Sequence, residues 1–199
     1  RRQIELRQYE AKMEDERLAR QIAQHENRQL KAAQSRLQLI NELARQLASS
    51  LRMDDIGQKL YDIVRQRLDV HFVSLALNRP DVEAIEYVMV IDDGVRLPGF
   101  SIPYSFDQSR AVQAIRSGEP LMISGERHSL SSFRLGDNRK LPLSQLFVPL
   151  IHNQAVIGMV SLQSSVAERF GSDELELLSS LAPFIAITLS NALSHQQLY

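Results

Sequence analysis

Ser144-Gln145-Leu146-Phe147-Val148-Pro149-Leu150-Ile151 is followed by His152-Asn153-Gln154 and then by Ala155-Val156-Ile157-Gly158-Met159-Val160-Ser161-Leu162-Gln163-Ser164. Two apolar, β-branched runs flank a short polar break, and Asn153 tolerates the positive φ that a tight connection needs. The pattern predicts an antiparallel hairpin. Side chains alternate across a strand. Val156, Gly158, Val160 and Leu162 are therefore expected on one face, suited to packing against helices. Ile157, Met159, Ser161 and Gln163 fall on the other. That second set grows polar toward its end, as a pocket wall with a few hydrogen-bonding groups does.

Outward from the hairpin, Ser172 is placed to cap a final helix whose first turn carries Asp173, Glu174 and Glu176, favourable to the helix dipole. Leu175, Leu178, Leu181, Ile185, Leu189 and Leu193 form its apolar stripe, and Pro183 should bend it. Upstream, Phe72–Leu77, Ile85–Ile91 and Leu121–Ser124 read as strands. Asp107–Arg116 reads as a short helix stopped by Gly118, and Pro120 blocks its continuation. Residues 125–142 are polar and irregular. Asp54 or Asp55 can cap a helix running to about Leu68, with Ile56, Leu60, Ile63 and Val64 on one face. Helices at both ends of a run of strands imply an α+β domain with a mainly antiparallel sheet.

Residues 1–51 contain no glycine or proline and are rich in helix formers. A continuous helix of that length, about 75 Å at roughly 1.5 Å per residue, cannot cover its own apolar stripe. Leu30, Ala33, Leu37, Ile40, Ala44, Leu47 and Leu51 recur at alternating steps of three and four, a coiled-coil seam. From Leu18 through Ile22 and Glu26 to Leu30 the steps are all four, a stutter that locally unwinds a supercoil. The sequence begins at Arg1 without methionine and ends at Tyr199 inside a helical pattern, so it is expected to be a piece of a longer protein. Residues 1–36 are read as a coiled-coil helix and 37–199 as the folded domain.

Composition bounds the chemistry. The 199 residues are 44% apolar and 24% charged, with a formal net charge of −1 and no cysteine. Near-neutral charge gives no electrostatic case for nucleic acid. Without cysteine there is no disulfide, thiolate zinc site or cysteine nucleophile. Uninterrupted apolar runs fall short of a membrane span, so no membrane insertion is expected within these residues. The five histidines lack metal-ligand spacing, and no phosphate-cradling glycine loop is present. No cofactor is identifiable.

Four local features together resemble one family. Ser109-Arg110-Ala111-Val112 runs into Gly118-Glu119-Pro120-Leu121, and Leu146-Phe147-Val148-Pro149-Leu150 is followed by Val156-Ile157-Gly158-Met159-Val160. Phe170 then precedes Asp173-Glu174 and Leu177-Leu178. In this order they resemble a GAF domain of a bacterial signalling protein, preceded by a coiled-coil signalling helix. The resemblance implies a central antiparallel sheet with helices on one face and a ligand-roofing layer of loops and helices on the other. It also implies a parallel homodimer through the terminal helices, transmitting a signal to an attached output domain. Since no catalytic constellation is readable among the residues, the domain is expected to be regulatory and not an enzyme. Departures narrow the ligand. Gln163-Ser164 stands where cyclic-nucleotide-binding members carry an Asn-Lys pair, and no cysteine is available to tether a bilin.

The expected ligand contacts are Phe106, Arg110, His128, Phe133, Met159, Ser161 and Gln163. The expected dimer contacts are Leu30, Leu37, Ile40, Ala44, Leu47, Leu51, Leu189 and Leu193. The expected function is a regulatory module that relays a small-ligand or upstream signal to an attached output domain, a diguanylate cyclase or histidine kinase. The alternative is a ligand-free dimerisation and linker module with a collapsed pocket. The expected location is the cytoplasm, free or as the cytoplasmic part of a membrane-anchored receptor.

Overall fold

The structure is a computed structural model that describes residues 2–48, 53–68, 70–124 and 142–196. Two compact units divide between Glu42 and Leu43. The first unit is helical. Helix α1, Arg2–Ala48, begins in it and ends in the second. Along α1, Leu18, Ile22, Leu30 and Leu37 are all more than half exposed in the single chain. Among the described residues nothing covers those four side chains to as much as half their surface. Leu43 and Ala44, at the start of the second unit, are buried. Leu47 and Leu51 lie outside the residues whose side chains are described.

The second unit is built on one antiparallel sheet. Its elements are α2 (Met53–Arg67), β1 (Phe72–Arg79), β2 (Ala84–Asp92), β3 (Val95–Leu97), β4 (Phe100–Pro103), α3 (Arg110–Ser117), β5 (Leu121–Ser124), β6 (Ser144–His152), β7 (Ala155–Ser164) and α4 (Ser172–Gln196). The strand order is β3-β2-β1-β7-β6-β5, with β4 paired to β2 beyond β3. The predicted hairpin is β6–β7, and both Asn153 and Gln154 take positive φ at its turn. Gly118 ends α3 in the left-handed conformation, its N–H donating to the Ala114 carbonyl. Strands β3 and β4 escape the sequence reading because they are three and four residues long and interrupted by Pro98-Gly99.

Helices α2 and α4 cover one face. A Cβ at Gly57 of α2 would lie 2.5 Å from the Met89 side chain, so α2 sits directly on β2. A Cβ at Gly158 would strike the Ala76 carbonyl and lie 3.3 Å from Leu189, so this position in β7 admits only glycine at such close approach. Leu189 is fully buried against its own sheet. This corrects its assignment to the dimer surface: a leucine spent in the core is not offered outward. The exposed apolar residues of α4 are Phe184 and Ile187 instead. Leu193 is half-buried. Helix α4 is long and apolar enough to cross a membrane by composition, but here Leu178, Leu181 and Ile185 are buried where it packs on β6 and β7.

The entry to α4 differs from the expected serine cap. The Glu174 carboxylate accepts the Gly171 N–H at 2.9 Å and also meets Arg169 at 3.3 Å. Gly171 is the capping residue, since its carbonyl takes the first helical bond from Leu175, and Ser172 already belongs to the helix. The glutamate reaching back is half of a capping box. That backbone bond, with the ion pair added to it, holds the Glu174 carboxyl below the usual carboxylate range.

Candidate functional site

The opposite face of the sheet is built from side chains that alternate with those under the helices. Register assembles them in rows. One row runs Val90, Ser74, Ser161, Phe147, Leu121 across β2, β1, β7, β6 and β5. A neighbouring row runs Asp92, Phe72, Gln163, Gln145, Ile123. On the other side of the first row lie Phe100, Tyr87, Ala76 and Met159. Two bulges keep these rows aligned, one in β2 opposite Leu75/Ala76 and one in β7 opposite Leu150/Ile151.

The second bulge overturns one expectation. Leu150 pairs with Gly158 but Ile151 pairs with Val156, so Ile157 is the extra residue. An inserted residue breaks strict alternation. Val156 therefore joins the face opposite Gly158, where it packs against the core beneath α3.

Helix α3 closes one end of this face. Ala111, Val112, Ala114 and Ile115 pack into a cluster with Ile85, Tyr87, Ile102, Phe147 and Met159. Met159 is fully buried there. It belongs to the apolar cluster, because the apolar side of α3 descends onto it. Phe100 stacks on Tyr87 with ring centroids 4.4 Å apart, and burial pushes the Tyr87 hydroxyl well above the usual phenol range. Tyr104 donates to Asn78, whose amide donates to the Val156 carbonyl at 2.8 Å. Arg116 lies over the Tyr104 ring and donates to its carbonyl. These contacts fasten α3 and β4 to the sheet.

Beyond α3 the face becomes polar. Ser74 and Ser161 are buried and their hydroxyls lie 2.6 Å apart. Gln163 and Gln145 are paired neighbours, both half-buried. The structure thus brings Met159, Ser161 and Gln163 onto one face, with Phe106 packed partly buried at the edge of the cluster. Arg110 is not brought there: it is exposed and donates to Gln113 of its own helix at 3.0 Å. His128 and Phe133 lie outside the described residues. Ser74, Gln145 and Asp92 complete the face and escaped the sequence reading. Their own strands are buried on both sides, so parity alone does not choose a face; only the register with β7 does.

One antiparallel sheet, with α2 and α4 on one face and a short helix at one end of the other, defines a class of small α+β modules. A sequence model of the GAF domain matches residues 52–189, and the chain belongs to that family. Among solved structures it is similar to the GAF domain of an Acinetobacter phosphoenolpyruvate-protein phosphotransferase, with TM-score 0.67 and 15% identity, covering 79% of this chain and 94% of that one. It is also similar to a free methionine-R-sulfoxide reductase from Neisseria meningitidis in complex with its substrate: TM-score 0.64, 15% identity, 78% of this chain and 89% of that one. The GAF domain of a two-component sensor histidine kinase from Bacillus halodurans gives TM-score 0.58 and 19% identity over 74% of this chain and 100% of that one. At such identities the likeness is one of fold. No curated protein matches the sequence.

Proposed function

We propose that this chain is a regulatory sensor module of a bacterial signalling protein, binding a small ligand on the α3 face and relaying its presence through helices. The carrying observation is the Ser74–Ser161 pair. Two hydroxyls hold two protons, and their mutual bond uses one. Among the described residues neither hydroxyl has another side-chain partner. Each hydroxyl is satisfied by the other, and the second proton is the one that a ligand oxygen or nitrogen accepts. Gln163 and Gln145 add amide groups beside the pair, and Phe72, Val90 and Phe147 supply apolar contact.

In this reading Ser161 and Gln163 contact the ligand directly, Phe106 borders the site, and His128 and Phe133 are candidate contacts from the roof. The uncovered stripe through Leu30 and Leu37 pairs with its counterpart in a parallel homodimer. The output domain is a diguanylate cyclase or a histidine kinase, and the module works in the cytoplasm. Catalysis is assigned elsewhere. The likeness to a sulfoxide reductase does not bring thiol chemistry here, since the chain has no cysteine. The apolar cluster around Met159 favours the second reading, a linker whose pocket is closed by its own side chains.

Denaturing the purified protein and analysing the supernatant by mass spectrometry separates these readings, together with a thermal-shift screen of small metabolites. A released or stabilising compound whose effect disappears in Gln163→Leu supports the sensor. Finding none, in a dimer of unchanged stability, supports the linker. Cyclic nucleotides are expected to give no calorimetric binding.

A further inference from the structure

On the helix face of the sheet, a polar cleft of ≈ 520 Å³ opens where the last turn of α2 meets the start of β1, the β2–β3 turn and the end of β7. Strand alternation separates it from the site above. Phe72 and Gln163 face α3, so their neighbours His71 and Ser164 face the other way. The volume lies in the range of roughly 300–1,000 Å³ common to small-molecule sites, but those are mostly apolar. This one is lined by polar groups.

Among the described residues that line the cleft, Arg65 and Arg169 bring two guanidiniums and Asp93 one carboxylate; Glu174 pairs with Arg169 from outside the lining. Tyr61, His71 and Ser164 form a buried polar floor, at 4%, 9% and 2% exposure. The two arginines are pre-positioned. Arg65 lies 5.7 Å over the Tyr61 ring and donates to its hydroxyl at 3.1 Å. Arg169 is held by Glu174 at 3.3 Å. Each guanidinium has five N–H donors, and among the described residues these contacts use one apiece. Spare donors on two planar forks, over a floor of hydroxyls and an imidazole, match the geometry of an oxyanion.

We propose that this cleft is a second ligand site, taking the phosphate or carboxylate group of a small polar molecule between Arg65 and Arg169. Arg65 belongs to α2 and Arg169 to the segment entering α4, so the bound anion ties those two elements together. The site is independent of the one facing α3.

The test is titration of the 199-residue chain with inorganic pyrophosphate and, separately, with citrate, followed by amide NMR. Saturable shifts are expected at Arg65, His71, Ser164 and Ser165 with at least one probe. Saturation by pyrophosphate alone assigns phosphate chemistry, and by citrate alone carboxylate chemistry. Affinity should fall about tenfold or more in Arg65→Gln/Arg169→Gln, and likewise in Ser165→Glu, which adds a repelling charge and keeps the Arg169–Glu174 pair. Lys31→Gln, which removes an exposed cation of α1, should change nothing. Absence of saturation by about 10 mM with either probe, a range that still detects weak sites, overturns the proposal. So do shifts that persist in both cleft variants.

Discussion

Replacing Ser74 and Ser161 by alanine, singly and together, probes the centre of the α3 face. The two hydroxyls lie 2.6 Å apart at 0% and 1% exposure, flanked in their row by Val90 and Phe147. Removing one leaves the other buried with no side-chain partner among the described residues, a penalty of about 1–3 kcal/mol. Removing both leaves two methyl groups facing each other in apolar surroundings, and the polar penalty vanishes. Taking about 2 kcal/mol for each single variant and about 1 kcal/mol for the double, the coupling is about 3 kcal/mol, at the upper end for residues in contact. Each single substitution should lower Tm by about 4–8 °C, since 1 kcal/mol is worth about 2–4 °C in a domain of this size. The assay is urea unfolding of all four proteins, with the m-value checked for constancy. Additive losses, or single variants as stable as the parent, would refute the reasoning: the hydroxyls would then be satisfied independently and no donor would remain for a ligand.

Leu30→Glu with Leu37→Glu should convert a dimer to a monomer in sedimentation, with little change in the domain's unfolding, because both side chains are about 60% exposed in the single chain; a parent that is monomeric at high micromolar concentration ends the coiled-coil reading. Glu174→Ala should cost about 1 kcal/mol at neutral pH, the usual worth of a helix cap. Since the folded-state pKa of Glu174 is depressed, its contribution is complete above the ordinary glutamate range and disappears as pH falls through the lower folded value. The gap between parent and variant in unfolding free energy should therefore close on acidification; a constant gap would contradict the capping assignment. Pro183→Ala should restore the missing bond to the Ser179 carbonyl and stabilise α4 by about 1 kcal/mol or more. If the proposed output domain is attached, the substitution should shift basal output and shrink the ligand response; unchanged output would mean that Pro183 is a packing accommodation.

Where local chemistry dictates structure, the sequence was sufficient. Gly118 stops α3 because a left-handed residue is needed there, and Asn153 turns the β6–β7 hairpin for the same reason. The helix face of β7 was legible because Gly158, Val160 and Leu162 alternate cleanly. Val156 was misplaced because a bulge is a property of two strands together, and one strand's sequence does not announce it. Leu189 was assigned outward because an apolar stripe on a helix does not say which of two hydrophobic surfaces receives it. That α3 descends onto Met159 is not legible in the strand, because it depends on tertiary packing. The paired serines were half visible: Ser161 stood out in an apolar strand, but its partner Ser74 lies 87 residues away and is joined to it only by register.

In the sensor reading proposed above, transmission from one face to the other has a short route through β7 itself. Ser161 faces α3, while its neighbours Val160 and Leu162 are buried under the helices, and Gly158 abuts Leu189 of α4. Close packing leaves no slack at that contact, since a single added carbon at Gly158 already meets both the β1 backbone and Leu189. A ligand that draws on the Ser74–Ser161 pair acts on the two strands that carry this contact. It changes output only insofar as it prefers one of two helix packings. A preference of about 1–3 kcal/mol is typical and is worth roughly 5–150-fold. In the proposed sensor reading, one or two hydrogen bonds to the buried hydroxyl pair are of that size, and they bias the helix packing only if they form in one packing and not in the other.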